Sequence, residues 1–174
     1  VHIKLLTIIG LITVVLLQAS WLYNTYNLIK KSIEERSNTL IIDAAERELF
    51  SRFAQDIDNI PEGTTLTLNE VNVTGESDSK VSSLCHMQET LRGYGSRLSV
   101  VNLDSIFSLL LTEQGINVNS VINIVTQTDS IIESSKNGSF PLLGTIETKK
   151  IPIRTHNSQL IQAIIPNPYW TIFE

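Results

Sequence analysis

The chain has 174 residues, a formal net charge of -5, a pI near 5.2 and a single cysteine, Cys85. That length supports one domain of ordinary size without staples and leaves no room for a second large one. The acidic balance lacks the basic footprint that nucleic-acid backbones attract, and one thiol excludes both an intrachain disulfide and a thiolate-clustered zinc site.

The N-terminal stretch decides the class. Leu5 to Tyr23 holds no charged residue and is dominated by Leu, Ile and Val. At a rise of ~1.5 Å per residue it is about as long as the ~30 Å hydrocarbon core of a bilayer requires. Gln18 lies near one end, where it reaches the headgroups, and Trp21, Tyr23 and Tyr26 follow as an interfacial aromatic belt does. A cleaved signal peptide wants a small-x-small site, but Leu17-Gln18-Ala19 before Ser20 puts leucine where a small residue belongs. A soluble core helix rarely stays uncharged for so long. Residues 1–23 are therefore expected to form a transmembrane anchor, with Leu5, Trp21 and Tyr23 marking the span and its interface. Lys4 on one side and Lys30, Lys31 and Arg36 on the other leave its orientation undecided by charge.

No proline or glycine interrupts Trp21 to Ala54, and the pattern predicts one helix continuing out of the membrane. Leu22, Tyr26, Ile29 and Ile33 recur as a short coiled-coil-like seam, which points to a parallel homodimer. Arg36 and Asp43 occupy the next seam positions, so the stripe is expected to drift to Ile41, Ala45, Leu49 and Phe53 as the helix meets its own domain. The alternative is amphipathic packing against one sheet with no partner helix.

Pro61-Glu62-Gly63 ends the helical region, Thr64 to Val73 suggests a strand interrupted at Asn69-Glu70, and Gly75 to Lys80 reads as a polar loop. Val81 to Leu91 is a candidate short helix, closed by Gly93-Tyr94-Gly95-Ser96. Asn102 is a plausible N-cap for a mostly buried helix from Leu103 to Gln114, with Asp104 in its first turn and Gly115 at its stop. Val121 to Gln127 is a β-branched strand, and Ser135 to Ser139 carries an Asn-Gly turn signal after Ile131 and Ile132. Thr145 to Arg154 and Gln159 to Pro166 form a strand pair around Thr155-His156-Asn157-Ser158, so the C-terminal half is antiparallel sheet. Residues 167–174 place Asn167-Pro168 before Tyr169, Trp170, Ile172 and Phe173, as at the lip of a second membrane helix; an ordinary surface tail has the same composition.

Several of these stretches resemble the extracytoplasmic sensor region of membrane-bound two-component sensor histidine kinases of the Bacteroides type. Leu17-Gln18-Ala19-Ser20-Trp21-Leu22-Tyr23-Asn24-Thr25-Tyr26 is similar to the end of that family's first membrane helix. Leu103 to Phe107 and Glu113 to Asn117 resemble its helix with a Gly-Ile/Val turn, and Ile164-Ile165-Pro166-Asn167-Pro168 with Ile172-Phe173 resembles its last strand and second membrane helix. Residues 62–100 depart from the pattern. The resemblance implies an α+β, PAS-like domain over residues 24–166, built from a long N-terminal helix, short helices and an antiparallel sheet, with a cytoplasmic N-terminus and the domain in the periplasm at the bacterial inner membrane.

Nothing in the sequence marks a catalytic site or a cofactor. His2, His86 and His156 lack the acidic neighbour and the following Arg-Thr-Pro of that family's phospho-accepting histidine, and the kinase core is not in this chain. No Gly-x-Ser-x-Gly elbow frames a nucleophile, and Gly93-Tyr94-Gly95 lacks the third glycine of a phosphate-binding loop. Cys85, His86 and Met87 supply soft ligand types, but adjacent helical residues diverge by ~100°, so Cys85 is expected to be a small buried apolar residue. The expected role is sensing a small-molecule or protein signal through unassigned residues. The alternative is a single-pass envelope protein that binds other proteins in adhesion or assembly.

Overall fold

The computed structural model describes residues 2–55, 76–136, 144–154 and 159–166. Among these residues the fold is α+β, with three helices and a five-stranded antiparallel sheet: α1 (His2–Gln55), α2 (Glu76–Gly93), α3 (Val100–Glu113), β1 (Val121–Val125), β2 (Ile131–Ser134), β3 (Ile146–Glu147), β4 (Ile151–Pro152) and β5 (Leu160–Ile165).

Helix α1 runs unbroken for 54 residues; it contains no proline, and its part beyond Trp21 is rich in Leu, Ala, Glu, Lys and Arg, which favour helix. From Ile3 to Asn24 every residue is exposed, so this apolar part is not packed into the core of the described domain. Burial then begins at Ile33 and recurs at Ser37, Leu40, Ile41, Ala44, Ala45, Glu48, Leu49 and Arg52. Those spacings of three and four trace one helical face. Of the drifting stripe, Ile41, Ala45 and Leu49 are buried as expected, whereas Phe53, near the end of the helix, is only half-buried.

Helix α2 starts five residues before Val81, so Glu76 to Lys80, expected as a loop, are helical. The polar composition that suggests a loop is also compatible with the start of a helix, since none of these residues is glycine or proline. Its end matches expectation: Gly95 takes φ +90, and the Ser96 and Gly95 N–H groups donate to Leu91 and Arg92 carbonyls at 3.1 and 2.9 Å. That pair of bonds is a Schellman motif, which needs a residue tolerant of positive φ. Helix α3 ends in the same way at Gly115, φ +75, with the Ile116 N–H on the Leu111 carbonyl at 2.8 Å. The N-cap of α3 is Ser99 and not Asn102; the Ser99 hydroxyl accepts from the Asn102 N–H at 3.3 Å, and the helix starts three residues early. Both residue types cap well, and Val100 wins a place in the helix because it is fully buried there.

The sheet order is β2-β1-β5-β3, with β4 also on β5. Thr126 to Ser130 turns β1 into β2, Asp129 supplying the left-handed residue at φ 63 and the Thr126 N–H reaching the Ser130 carbonyl at 2.9 Å. The continuous strand expected from Thr145 to Arg154 is split, since Glu147 faces Ile164 but Ile151 faces Ile161. The extra residue falls in Thr148 to Lys150, where the Thr148 hydroxyl accepts from the Ala163 N–H at 2.9 Å and the Lys149 N–H donates to Asn38 Oδ1 at 2.6 Å. Such a bulge re-aims side chains and bends the edge. Ile122, Ile124, Ile161, Ala163 and Ile165 pack one sheet face on Phe107, Leu103 and Leu111 of α3 and Ile41 and Ala44 of α1. Phe107 is completely buried in this interior.

The expected strand at Thr64–Val73, the Asn137-Gly138 turn, the turn at Thr155–Ser158 and the second membrane helix at 167–174 lie outside the described residues, as do Phe140 and His156.

Candidate functional site

A buried charge node ties α1 to the far side of the domain. Glu48 on α1 is fully buried and Arg52, one turn on, is 7 % exposed. Arg52 Nε lies 2.8 Å from Glu48 Oε1 and 2.9 Å from Oε2. The Ser99 N–H at the start of α3 donates to Glu48 Oε1 at 3.1 Å, Arg52 Nη2 donates to Gln88 Oε1 on α2, and Nη1 reaches the Ser96 carbonyl at 3.5 Å. Two residues of one helix thus hold the ends of two others.

Burial pushes the Glu48 carboxyl above its ordinary range. The Ser99 N–H, the Arg52 charge and hydrogen bond, and the Gln88 side chain all favour the ionised form, but desolvation outweighs them. Among the described residues the buried Gln88 amide nitrogen has no hydrogen-bond partner, although the side chain lies beside that carboxylate. A buried ion pair is weak evidence for stability and better evidence for specified geometry.

Beside the node, between α2, the α2–α3 loop and the sheet, lies a cleft of about 250 Å3. Leu98, Ile124 and Ile153 supply apolar lining; Arg92, Arg97 and Arg154 supply charge; Glu89 and Glu133 are also present. Gln88 and Ser96 belong to both cleft and node. A larger groove of about 790 Å3 runs between α1 and the β3–β4 bulge, but its cations are partly engaged: Lys31 pairs with Glu35 at 3.9 Å and Lys150 with Asp129. A smaller, mainly apolar pocket of about 240 Å3 lies between α1 and α2 around Leu49, Phe50 and Met87.

A second polar cluster fixes α3 to the sheet. Asp104, expected in the first turn of a later-starting helix, is buried; it accepts from the Ser120 hydroxyl at 2.8 Å and pairs with Lys136 at 3.1 Å, whose Nζ also donates to the Ser120 carbonyl at 2.7 Å.

The residues singled out from sequence fall into three groups. Leu5, Trp21, Tyr23 and Leu22 are exposed, at 58, 68, 66 and 53 %. Of the seam, Ile33 belongs to the domain's own core and Ile29 packs against it, while Tyr26 is half-buried. The stripe therefore turns inward about two helical turns earlier than its apolar spacing alone implies, because Ile29 and Ile33 already face the sheet side. Cys85 is buried, its thiol pushed up to about 11 by burial first and then by the Glu89 charge, whereas His86 is exposed. A thiol so held is a packing group.

Sequence reading missed Glu48, Arg52, Gln88 and the three cleft arginines. A signal existed for the first pair, since a glutamate four residues before an arginine is a standard helical ion pair. Only its position on the otherwise apolar face distinguished it. Comparison with known protein families, with curated proteins and with solved structures gave no match.

Proposed function

We propose that this chain is the extracytoplasmic sensing segment of a membrane receptor, a PAS-like domain on a first membrane helix that relays binding to a cytoplasmic histidine kinase outside this chain. What supports the reading is α1. One continuous helix carries an uncharged, fully exposed apolar stretch at one end and the Glu48–Arg52 node at the other. Tyr23 and Glu48 are separated by about 37 Å along it at the helical rise of ~1.5 Å per residue. A rod of that kind transmits a shift at one end to the other. A ligand moves such an equilibrium only by its difference in affinity between two states, and the node gives the two states a place to differ: Arg52 can exchange partners among Glu48, Gln88 and Ser96.

On this reading the domain lies in the periplasm at the inner membrane, and two copies pair through the membrane-side part of the seam. Leu22 and Tyr26 serve that contact, Ile29 and Ile33 being engaged by the domain itself. The test is disulfide crosslinking of the full chain in membranes, in a Cys85→Ala background, with single cysteines at Leu22, Asn24, Tyr26, Leu28 and Glu35. Crosslinks confined to Leu22 and its helical neighbours support the paired receptor. Uniform absence of crosslinks favours the second reading, a single-pass envelope protein that binds others in adhesion or assembly.

A further inference from the structure

We infer that the cleft beside the charge node binds a small organic carboxylate, a monoanion with a compact apolar body. The inference rests on the sensor reading only for what binding does; the site itself stands on the cleft's chemistry. Arg92 extends from the end of α2, Arg97 from the α2–α3 loop and Arg154 from beyond β4, so three separate segments converge on one opening. Among the described residues none of the three guanidiniums has a carboxylate within ion-pair distance, although every other cation at the domain's polar clusters, Arg52, Lys136 and Lys150, has one. Unpaired arginines in a recess are fork-shaped donors matched to a carboxylate.

The rest of the lining sets the size and charge of the occupant. Three arginines against Glu89 and Glu133 leave one positive charge, which suits a monoanion better than a phosphate dianion. Leu98, Ile124 and Ile153 offer apolar contact, and about 250 Å3 falls just below the ~300–1,000 Å3 of drug-sized sites. A single ring or a short branched chain fits that space. Gln88 and Ser96 at the inner wall already hold Arg52, so a carboxylate that draws an arginine of the cleft or the Gln88 amide inward acts directly on the node that grips α1.

The test uses the full chain in lipid nanodiscs with benzoate, its neutral isostere benzamide, and inorganic phosphate, read by calorimetric titration. Saturable benzoate binding, about tenfold weakened by Arg97→Gln and by Arg154→Gln, preserved better by the lysine substitutions, and at least tenfold tighter than benzamide, is the expected result. None of the three arginines has an ion pair among the described residues, so these variants are expected to leave the fold intact, which a thermal melt checks. Absence of saturable benzoate binding, equal binding of benzamide, phosphate as tight as benzoate, or indifference to both arginine variants overturns the site. Crosslinking at Leu22, measured with and without benzoate, separates the two proposals. Binding that leaves the crosslinks unchanged keeps the site and rejects the relay, whereas a benzoate-dependent change lost in Arg97→Gln supports both.

Discussion

The two ends of α1 share one backbone and nothing else. From Ile3 to Asn24 apolar side chains surround the helix on all sides and every one is exposed; from Ile33 to Arg52 burial is confined to one face, which includes a charge pair. A helix apolar all round suits hydrocarbon, and a striped one suits a protein core. The difference teaches that the charges, not the hydrophobic residues, mark where the helix changes character: Lys30 is the first charged residue after the uncharged stretch, and Ile33, the first buried core residue, follows within one turn.

Breaking the core end should have the largest effect. Arg52→Met leaves Glu48 buried without its partner and is expected to destabilise the domain by about 3–5 kcal/mol in denaturant unfolding. The double variant Glu48→Leu/Arg52→Met is expected to recover most of that loss, because replacing both charges by apolar side chains is commonly neutral or better. A double variant as unstable as Arg52→Met would mean that Ser99, Gln88 and Ser96 depend on the pair for more than charge balance.

The exposed apolar end answers to a different substitution. Leu11→Arg is expected to cost about 2.5–3.5 kcal/mol in membrane insertion, measured by partition of the chain between membrane and soluble fractions. Leu28→Arg, exposed in the stretch between the two ends, should change insertion and domain stability by less than about 0.5 kcal/mol. Equal effects at the two positions would erase the boundary.

Most of this contrast was legible in the residues. The uncharged span, the proline-free helix and the stripe at Ile41, Ala45 and Leu49 follow from periodicity, and Gly95 and Gly115 end their helices as composition predicts. The cap at Ser99 was not, because Ser and Asn are equivalent capping residues and only the burial of Val100 chooses between them. The bulge at Thr148 to Lys150 was hidden for a similar reason. The alternation of Ile146, Thr148 and Ile151 is one residue out of step, which a strand pattern shows only once its partner is known. The node and the cleft were the least visible, since their residues lie on α1, α2, the loop before α3, the strands β1 and β2 and the segment after β4, and long-range convergence leaves no local spacing.

The smallest effect is one of pH. Because Glu48 titrates above its ordinary value of 4.5 in the folded domain, the native state takes up this proton before the unfolded chain does. Its contribution to stability therefore increases as pH falls through the raised value towards 4.5, and is lost as pH rises back through it. Glu48→Gln removes that slope, so the difference between wild type and variant in denaturant midpoint should narrow or widen only within this window. A difference that stays flat there would place the carboxylate in a more hydrated setting than its burial implies.

The most direct measurement is a spin-label accessibility scan along α1 in bilayers, with nitroxides at Leu11, Leu16, Leu22, Leu28 and Glu35 in the Cys85→Ala background. One helix in two solvents predicts oxygen-rich, water-poor labels at Leu11 and Leu16, an interfacial value at Leu22, and water-exposed labels at Leu28 and Glu35. Water-exposed labels at all five positions would contradict the membrane span, and with it the relay from cleft to bilayer.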